Sequence, residues 1–187
     1  NGGSASRPTR CHRNGVDMKT ALGPILLIED DDADAILVER ALDRSKTEYD
    51  LTRAHTLEDA IRLVKQYDFK LVLTDLGLPD CSGVEAVGRL RAVTSDATII
   101  VLSGIEDYKA RLRTLDSGAQ DFLIKSEVSA FTLQRAIEHG THRLDSERSV
   151  RRLLDEVRTQ KTRLEQQAKQ LDRQNRRLRK LCKTAQQ

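Results

Sequence analysis

The chain has 187 residues, 38% hydrophobic, 33% charged and 3% aromatic, a balance that suits one ordinary globular domain with an appended segment. No apolar run approaches the roughly 18 residues of a membrane span. No signal-peptide pattern opens the chain, and Cys11, Cys81 and Cys182 are too scattered for a disulfide framework or a zinc site, so a reducing cytoplasm is expected.

Charge divides the chain. Residues 24–140 hold 14 basic and 22 acidic residues, whereas residues 141–187 hold 14 basic and 6 acidic ones. An acidic body is followed by a basic tail, and the two call for separate treatment.

Residues 1–23 are rich in Gly, Ser and Arg without apolar periodicity, and are expected to be disordered. Met18 is read as a natural start, with residues 1–17 upstream of it or added. From Ile25 the pattern becomes regular. Ile25–Ile28 is a short apolar run, and from Asp32 to Leu42 the residues Ala35, Val38 and Leu42 recur at helical spacing. A weaker strand is expected at Tyr49–Ala54, then a helix over Thr56–Lys65 with Glu58 and Asp59 in its first turn. Leu71–Leu73 is the next apolar run, followed by a Gly/Pro/Asp loop to Gly83 and a helix to about Arg91. Thr98–Leu102, a helix over Asp107–Leu115, a turn at Ser117-Gly118 and the run Phe122–Ile124 complete the series. A long helix begins near Val128. Short, continuously apolar strands separated by helices predict an α/β fold, a doubly wound five-stranded parallel sheet covered on both faces. Ligands of such sheets bind beyond the carboxyl ends of the strands.

Those ends carry the chemistry. The first strand runs into Glu29-Asp30, the third ends in Asp75, the fourth in Ser103 and the fifth in Lys125. Carboxylates converging on one rim repel unless a cation neutralises them, and magnesium suits an all-oxygen set. Lys125 and Ser103 suit a tetrahedral anion. Together these groups make a phosphoryl-transfer site in which Asp75, alone on the central strand, is the acceptor and Glu29 and Asp30 are the metal pair. Each piece has a plainer reading: a helix N-terminus for the acidic run, a turn for Asp75, a turn for Ser103-Gly104, a surface position for Lys125. Their joint placement at successive strand ends reverses those readings. Asp30, Asp32 and Asp34 open like a calcium loop, but Ala35 and Ala41 stand where its glycine and closing glutamate belong. A dehalogenase-type phosphatase would need an aspartate two residues after Asp75, where Gly77 stands, and no Walker-type loop occurs.

Ile25–Asp31, Leu73–Gly83, Val101–Gly104 and Gly118–Lys125 resemble the motifs of the receiver domain of two-component response regulators, over residues 24–140. The resemblance implies the flavodoxin-like receiver fold, with Asp75 as phosphorylated residue. It also implies a magnesium ion served directly by Asp30, through water by Glu29, by Asp75 and by the backbone carbonyl of Gly77. Lys125 would contact the phosphoryl group and Ser103 would be the switch hydroxyl. The donor would be a phosphohistidine kinase or phosphotransfer protein. Two positions depart from the family. Phe122 holds the switch-aromatic position without the hydroxyl of the commoner tyrosine, and Ser126 stands where proline, generally with a cis bond, usually follows the lysine. Such a receiver catalyses its own phosphorylation rather than acting as an enzyme in the usual sense.

The tail has its own period. Val150, Val157, Leu164, Leu171 and Leu178 recur every seven residues, and Leu154, Lys161, Ala168, Asn175 and Cys182 form the companion column. A long C-terminal coiled-coil helix over 141–187, about 70 Å at 1.5 Å per residue, is therefore expected. The polar Lys161 and Asn175 in the companion column favour a parallel homodimer. The basic residues around Arg173–Lys180 fall on several helix faces, which describes a solvated helix rather than a nucleic-acid contact. Receivers that end in long helices resemble those feeding a histidine kinase, cyclase or phosphatase, so an output domain is expected beyond Gln187. The main rival is a phosphorylation-independent, dimerising interaction module.

Overall fold

A computed structural model describes residues 22–45, 47–81, 83–104 and 108–184, with side chains as far as Leu171. The segment 1–21 and the side chains of Asn175, Leu178, Cys182 and the Arg173–Lys180 cluster lie outside the described residues. In chain order the elements are β1 (Gly23–Ile28), α1 (Asp32–Arg44), β2 (Tyr49–Ala54), α2 (Leu57–Gln66), β3 (Leu71–Asp75), α3 (Val84–Val93), β4 (Thr98–Ser103), α4 (Tyr108–Asp116), β5 (Asp121–Ile124) and α5 (Ala130–Thr184). By compactness the chain divides into Asn1–Leu144 and Asp145–Gln187.

All pairings in the first unit are parallel, in the order β2-β1-β3-β4-β5. Every strand therefore ends at the same edge, and the order reverses between β1 and β3, the place where such sheets receive ligands. The central strands β1, β3 and β4 are largely apolar because both their faces are covered, whereas the edge strand β2 is only partly buried and carries Asp50, Thr52 and Arg53. Leu26, Ile28, Val72, Ile99 and Val101 pack with Leu57, Ala60, Val87 and Leu90 of α2 and α3. Their alternating neighbours Ile25, Leu27, Leu73, Ile100 and Leu102 pack with Val38 and Leu42 of α1 and with Leu133, Ala136 and Ile137 of α5.

Boundaries moved where polar chemistry, not apolar pattern, decides them. β1 starts at Gly23, which pairs with Tyr49, after Leu22 N–H has already bonded to the Glu48 carbonyl. Leu22 and Gly23 thus belong to the folded body. β3 continues through Thr74 to Asp75, because Asp75 pairs with Leu102 of β4. After β5 the residues Lys125–Glu127 form a 3-10 turn closed by Val128 N–H on the Lys125 carbonyl, so α5 waits until Ala130. Ser126 sits in that turn, and no cis peptide occurs among the described residues.

Two packing details hold the lower edge of the sheet, away from the strand ends. The guanidinium of Arg91 donates to the carbonyls of Gly118 (2.8 Å) and Ala97 (3.0 Å) and to Gln120 Oε1 (2.6 Å), which also accepts from Ile99 N–H. In α5, Gly140 lies so close to β4 that a Cβ would stand 2.9 Å from Thr98 Cγ2.

The second unit is helical. Val150, Leu153, Leu154, Val157, Leu164 and Leu171 are all exposed along it. Among the described residues no helix is long and apolar enough to cross a membrane.

Candidate functional site

The site is assembled by the loops that follow β1, β3, β4 and β5. Glu29 follows β1 directly and its N–H bonds to the Ala54 carbonyl of β2. It is fully buried, whereas Asp30 is exposed. Asp75 closes β3, is 7% exposed, and accepts from Leu76 N–H at 2.7 Å through Oδ1. One carboxylate oxygen from each of Glu29, Asp30 and Asp75 lies within 4.8 Å of the others. Three oxygens so spaced fit a hard divalent cation such as magnesium, and the set contains no nitrogen or sulfur to favour a softer metal. Gly77 borders the cluster: a Cβ there would stand 3.1 Å from Asp75 Oδ2. Glycine is thus the residue that leaves the Asp75 carboxylate room.

Lys125, placed just beyond β5, balances these charges. Its ammonium lies 2.6 Å from Asp34 Oδ2, 2.8 Å from Glu29 Oε2 and 3.1 Å from Asp75 Oδ2. Burial pushes the lysine toward neutrality, but Asp34, Glu29 and Asp75 outweigh it and raise its pKa. Glu29 moves upward as well, because burial disfavours its charge more than Lys125 relieves it. Ser103 is buried at the end of β4 and pairs in register with Ile124, the residue before Lys125. Phe122 is buried in the cluster formed with α2 and α3. Glu29, Asp30, Asp75, Ser103 and Lys125 are therefore on one edge of the sheet, with Glu29, Asp30 and Asp75 grouped together and Lys125 against Glu29 and Asp75.

Arg53 and Asp80 escaped the sequence reading, and Asp34 entered it only within the rejected calcium loop. Arg53, at the end of β2, donates to the carbonyls of Glu29 (2.9 Å) and Asp30 (3.2 Å) and pairs with Asp32 at 2.7 Å. Asp80, in the loop after β3, accepts from Leu57 and Glu58 N–H at 3.0 Å each; together with Thr56 on Asp59 N–H it closes the first turn of α2. Asp34 takes part through Lys125. Its position has a signal: Asp31 caps α1 by accepting from Ala33 and Asp34 N–H, and the spacing from Asp31 to Asp34 is that of a capping box.

A family model, that of the response regulator receiver domain, matches residues 25–138. The chain belongs to this family. Among its relatives, the cell cycle transcriptional regulator CtrA of Caulobacter vibrioides is 36% identical over 102 residues, covering 54% of this chain and 43% of CtrA. The match thus spans less than half of that relative's length. The signal receiver domain of an HD domain-containing protein from Pseudomonas fluorescens Pf-5 superposes with a TM-score of 0.61 at 23% identity, over 73% of this chain and 98% of that one. A response regulator from Burkholderia pseudomallei, solved with a phosphorylated aspartic acid, a calcium ion and citrate, has a TM-score of 0.56 at 23% identity, over 69% of this chain and 74% of that one. These two structures establish the receiver fold. The chain is a receiver domain of the two-component type joined to a long helix.

Proposed function

We propose that Asp75 accepts a phosphoryl group from a phosphohistidine donor, a kinase or phosphotransfer protein. The observation that carries the reading is the Lys125 ammonium 3.1 Å from Asp75, beside three carboxylates that offer oxygens within 4.8 Å of one another at the sheet's reversal point. A carboxylate oxygen of Asp75 forms a bond to phosphorus while the bond from phosphorus to the imidazole nitrogen breaks, and the electron pair stays with the ring. Magnesium, held by Glu29, Asp30, Asp75 and the Gly77 carbonyl, would supply positive charge against the phosphoryl oxygens. Lys125 neutralises a further oxygen, and the Ser103 hydroxyl turns to donate to one. Phe122 at the switch-aromatic position is already buried and has no hydroxyl to add a hydrogen bond to that inward state.

The change passes to a cytoplasmic output through the helix. Exposed Val150, Leu154, Val157, Leu164 and Leu171 leave an apolar stripe that a second copy, running parallel, would cover, and an output module joined to this helix would read the pairing. Incubation with acetyl phosphate and magnesium tests the assignment. One base-labile phosphoryl group at Asp75 by mass spectrometry is expected, and none in Asp75→Ala. Undiminished labelling of Asp75→Ala would move the chemistry elsewhere.

A further inference from the structure

The Lys125 ammonium has three hydrogens and three carboxylates around it; the contact to Asp34 Oδ2 is a hydrogen bond, whereas those to Glu29 Oε2 and Asp75 Oδ2 are ion-pair contacts. The shortest contact is not to the phosphoacceptor Asp75 (3.1 Å) but to Asp34 (2.6 Å), a residue outside the three-carboxylate metal cluster. A phosphoryl oxygen arriving at Asp75 needs one of those hydrogens. Glu29 cannot surrender its share easily, because its side chain is fully buried and would be left charged without water. Asp34 can, because 37% of its side chain is exposed and water is at hand. Its backbone is meanwhile held in place by the Asp31 cap in the first turn of α1, where the helix dipole favours a carboxylate.

We infer that Asp34 is a positioning residue that competes with the phosphoryl group for Lys125 and so lowers the occupancy of the phosphorylated state. This inference rests on Asp75 being the phosphoacceptor. In the resting protein Asp34 draws the ammonium toward the rim. In the phosphorylated protein the Asp34 carboxylate and a phosphoryl oxygen are like charges contending for one cation, and Asp34 must turn out to water. Neutralising Asp34 removes the competitor without touching the acceptor, the metal cluster or Lys125. The loaded state then gains relative to the free one, whichever donor supplies the phosphoryl group.

The test compares wild type, Asp34→Asn, Asp34→Glu and Asp32→Asn. Asp32 lies on the same helical turn and is exposed, but pairs with Arg53 instead of Lys125, so its variant carries the same charge change in the wrong place. Beryllofluoride with magnesium serves as a non-hydrolysable phosphoryl mimic, and acetyl phosphate with magnesium gives the steady-state phosphorylated fraction. Asp34→Asn should bind beryllofluoride roughly two- to fivefold more tightly, the scale of losing a partly exposed ion pair that competes for the site. Its phosphorylated-to-free ratio at limiting acetyl phosphate should rise by a similar factor. Asp34→Glu should stay near wild type, and Asp32→Asn should change by less than about twofold. Equal or weaker beryllofluoride binding in Asp34→Asn would overturn the inference, as would an equal gain in Asp32→Asn, which would make the effect one of overall charge. A wild type that neither binds beryllofluoride nor labels at Asp75 would instead refute the phosphoacceptor assignment.

Discussion

The side chain of Arg53, on an edge strand, grips the backbone of Glu29 just beyond the end of the neighbouring strand, with 2.9 Å between Nε and the Glu29 carbonyl oxygen. A second nitrogen reaches the Asp30 carbonyl at 3.2 Å, so one guanidinium sets the path of the two residues assigned to the metal. Arg53→Ala should leave those carbonyls to water and let the loop move. Magnesium affinity, followed by titration calorimetry, is expected to fall several-fold, with a loss of about 1–2 kcal/mol in urea unfolding. Unchanged magnesium affinity would separate the loop's path from the metal site.

Lys125→Ala should expose the repulsion it now screens. With Glu29 fully buried and Asp75 nearly so, loss of the ammonium is expected to cost about 3 kcal/mol in magnesium-free buffer. Because the cation would then supply counter-charge the lysine no longer gives, magnesium should raise the Tm of Lys125→Ala by more than it raises that of wild type. The lysine's raised pKa gives a sign as well. Its contribution to stability is complete below 10.5, the ordinary value, and is lost only as pH climbs through the higher folded-state value. Thermal unfolding in two magnesium concentrations checks the first point.

Asp80 offers an acid-side test away from the cluster. Burial is the largest single influence and raises its pKa, but the N–H groups of Leu57, Glu58 and Asp80 itself, with the charge of Arg89, together outweigh it and hold the carboxyl below 3.8. Its stabilising effect is therefore present above that value and disappears as pH falls through the lower folded-state value. Asp80→Asn should be less stable than wild type by about 1 kcal/mol at neutral pH, the size of a helix-cap loss. The two proteins should begin to converge only as pH falls below 3.8. A gap that does not shrink at all as pH is lowered below 3.8 in chemical unfolding would assign the effect to packing.

Gly140→Ala should press a methyl group onto Thr98. With a Cβ due at 2.9 Å from Thr98 Cγ2 and 3.3 Å from Gln120 Cβ, the helix must shift or the strand must give. A loss of about 1–3 kcal/mol is expected despite alanine's better helix propensity. Thr98→Ser paired with Gly140→Ala should recover part of it, since the colliding methyl is gone.

Leu164 and Leu171 test the tail. Replacing both by Glu should reduce self-association in sedimentation at several concentrations and leave labelling at Asp75 intact. A wild-type chain that stays monomeric well above micromolar concentration would make the apolar stripe a contact for something other than a second copy.

The sequence made the sheet legible because its strands are buried on both faces. Ile25–Ile28 and Ile99–Leu102 carry no polar interruption. Glu29, Asp75, Ser103 and Lys125 were legible because each breaks such a run at its end. Asp34, Arg53 and Asp80 were not, because their effect depends on partners 21 to 91 residues away. An aspartate in a first helical turn looks complete with the helix dipole as its reason, and only the folded chain brings Lys125 to it. The start of α5 was misplaced for a similar reason: the 3-10 turn at Lys125–Glu127 is set by the strand that precedes it, not by apolar spacing.

The order of the strands constrains how this protein can be made. Ile25, Leu27, Leu73, Ile100 and Leu102 form one face of the sheet, and Leu133, Ala136 and Ile137 of α5 help to cover it. The first strand of this sheet to be translated is flanked by β2 and β3, and its face is covered jointly by α1 and by a helix translated more than a hundred residues later. Until α5 has been translated through Ile137, the nascent chain carries an uncovered aliphatic surface. All pairings are parallel, so none can close as a simple hairpin in the meantime. Ribosome stalling or truncation between β5 and Ile137 would therefore release an aggregation-prone fragment, a client for chaperones rather than a smaller receiver.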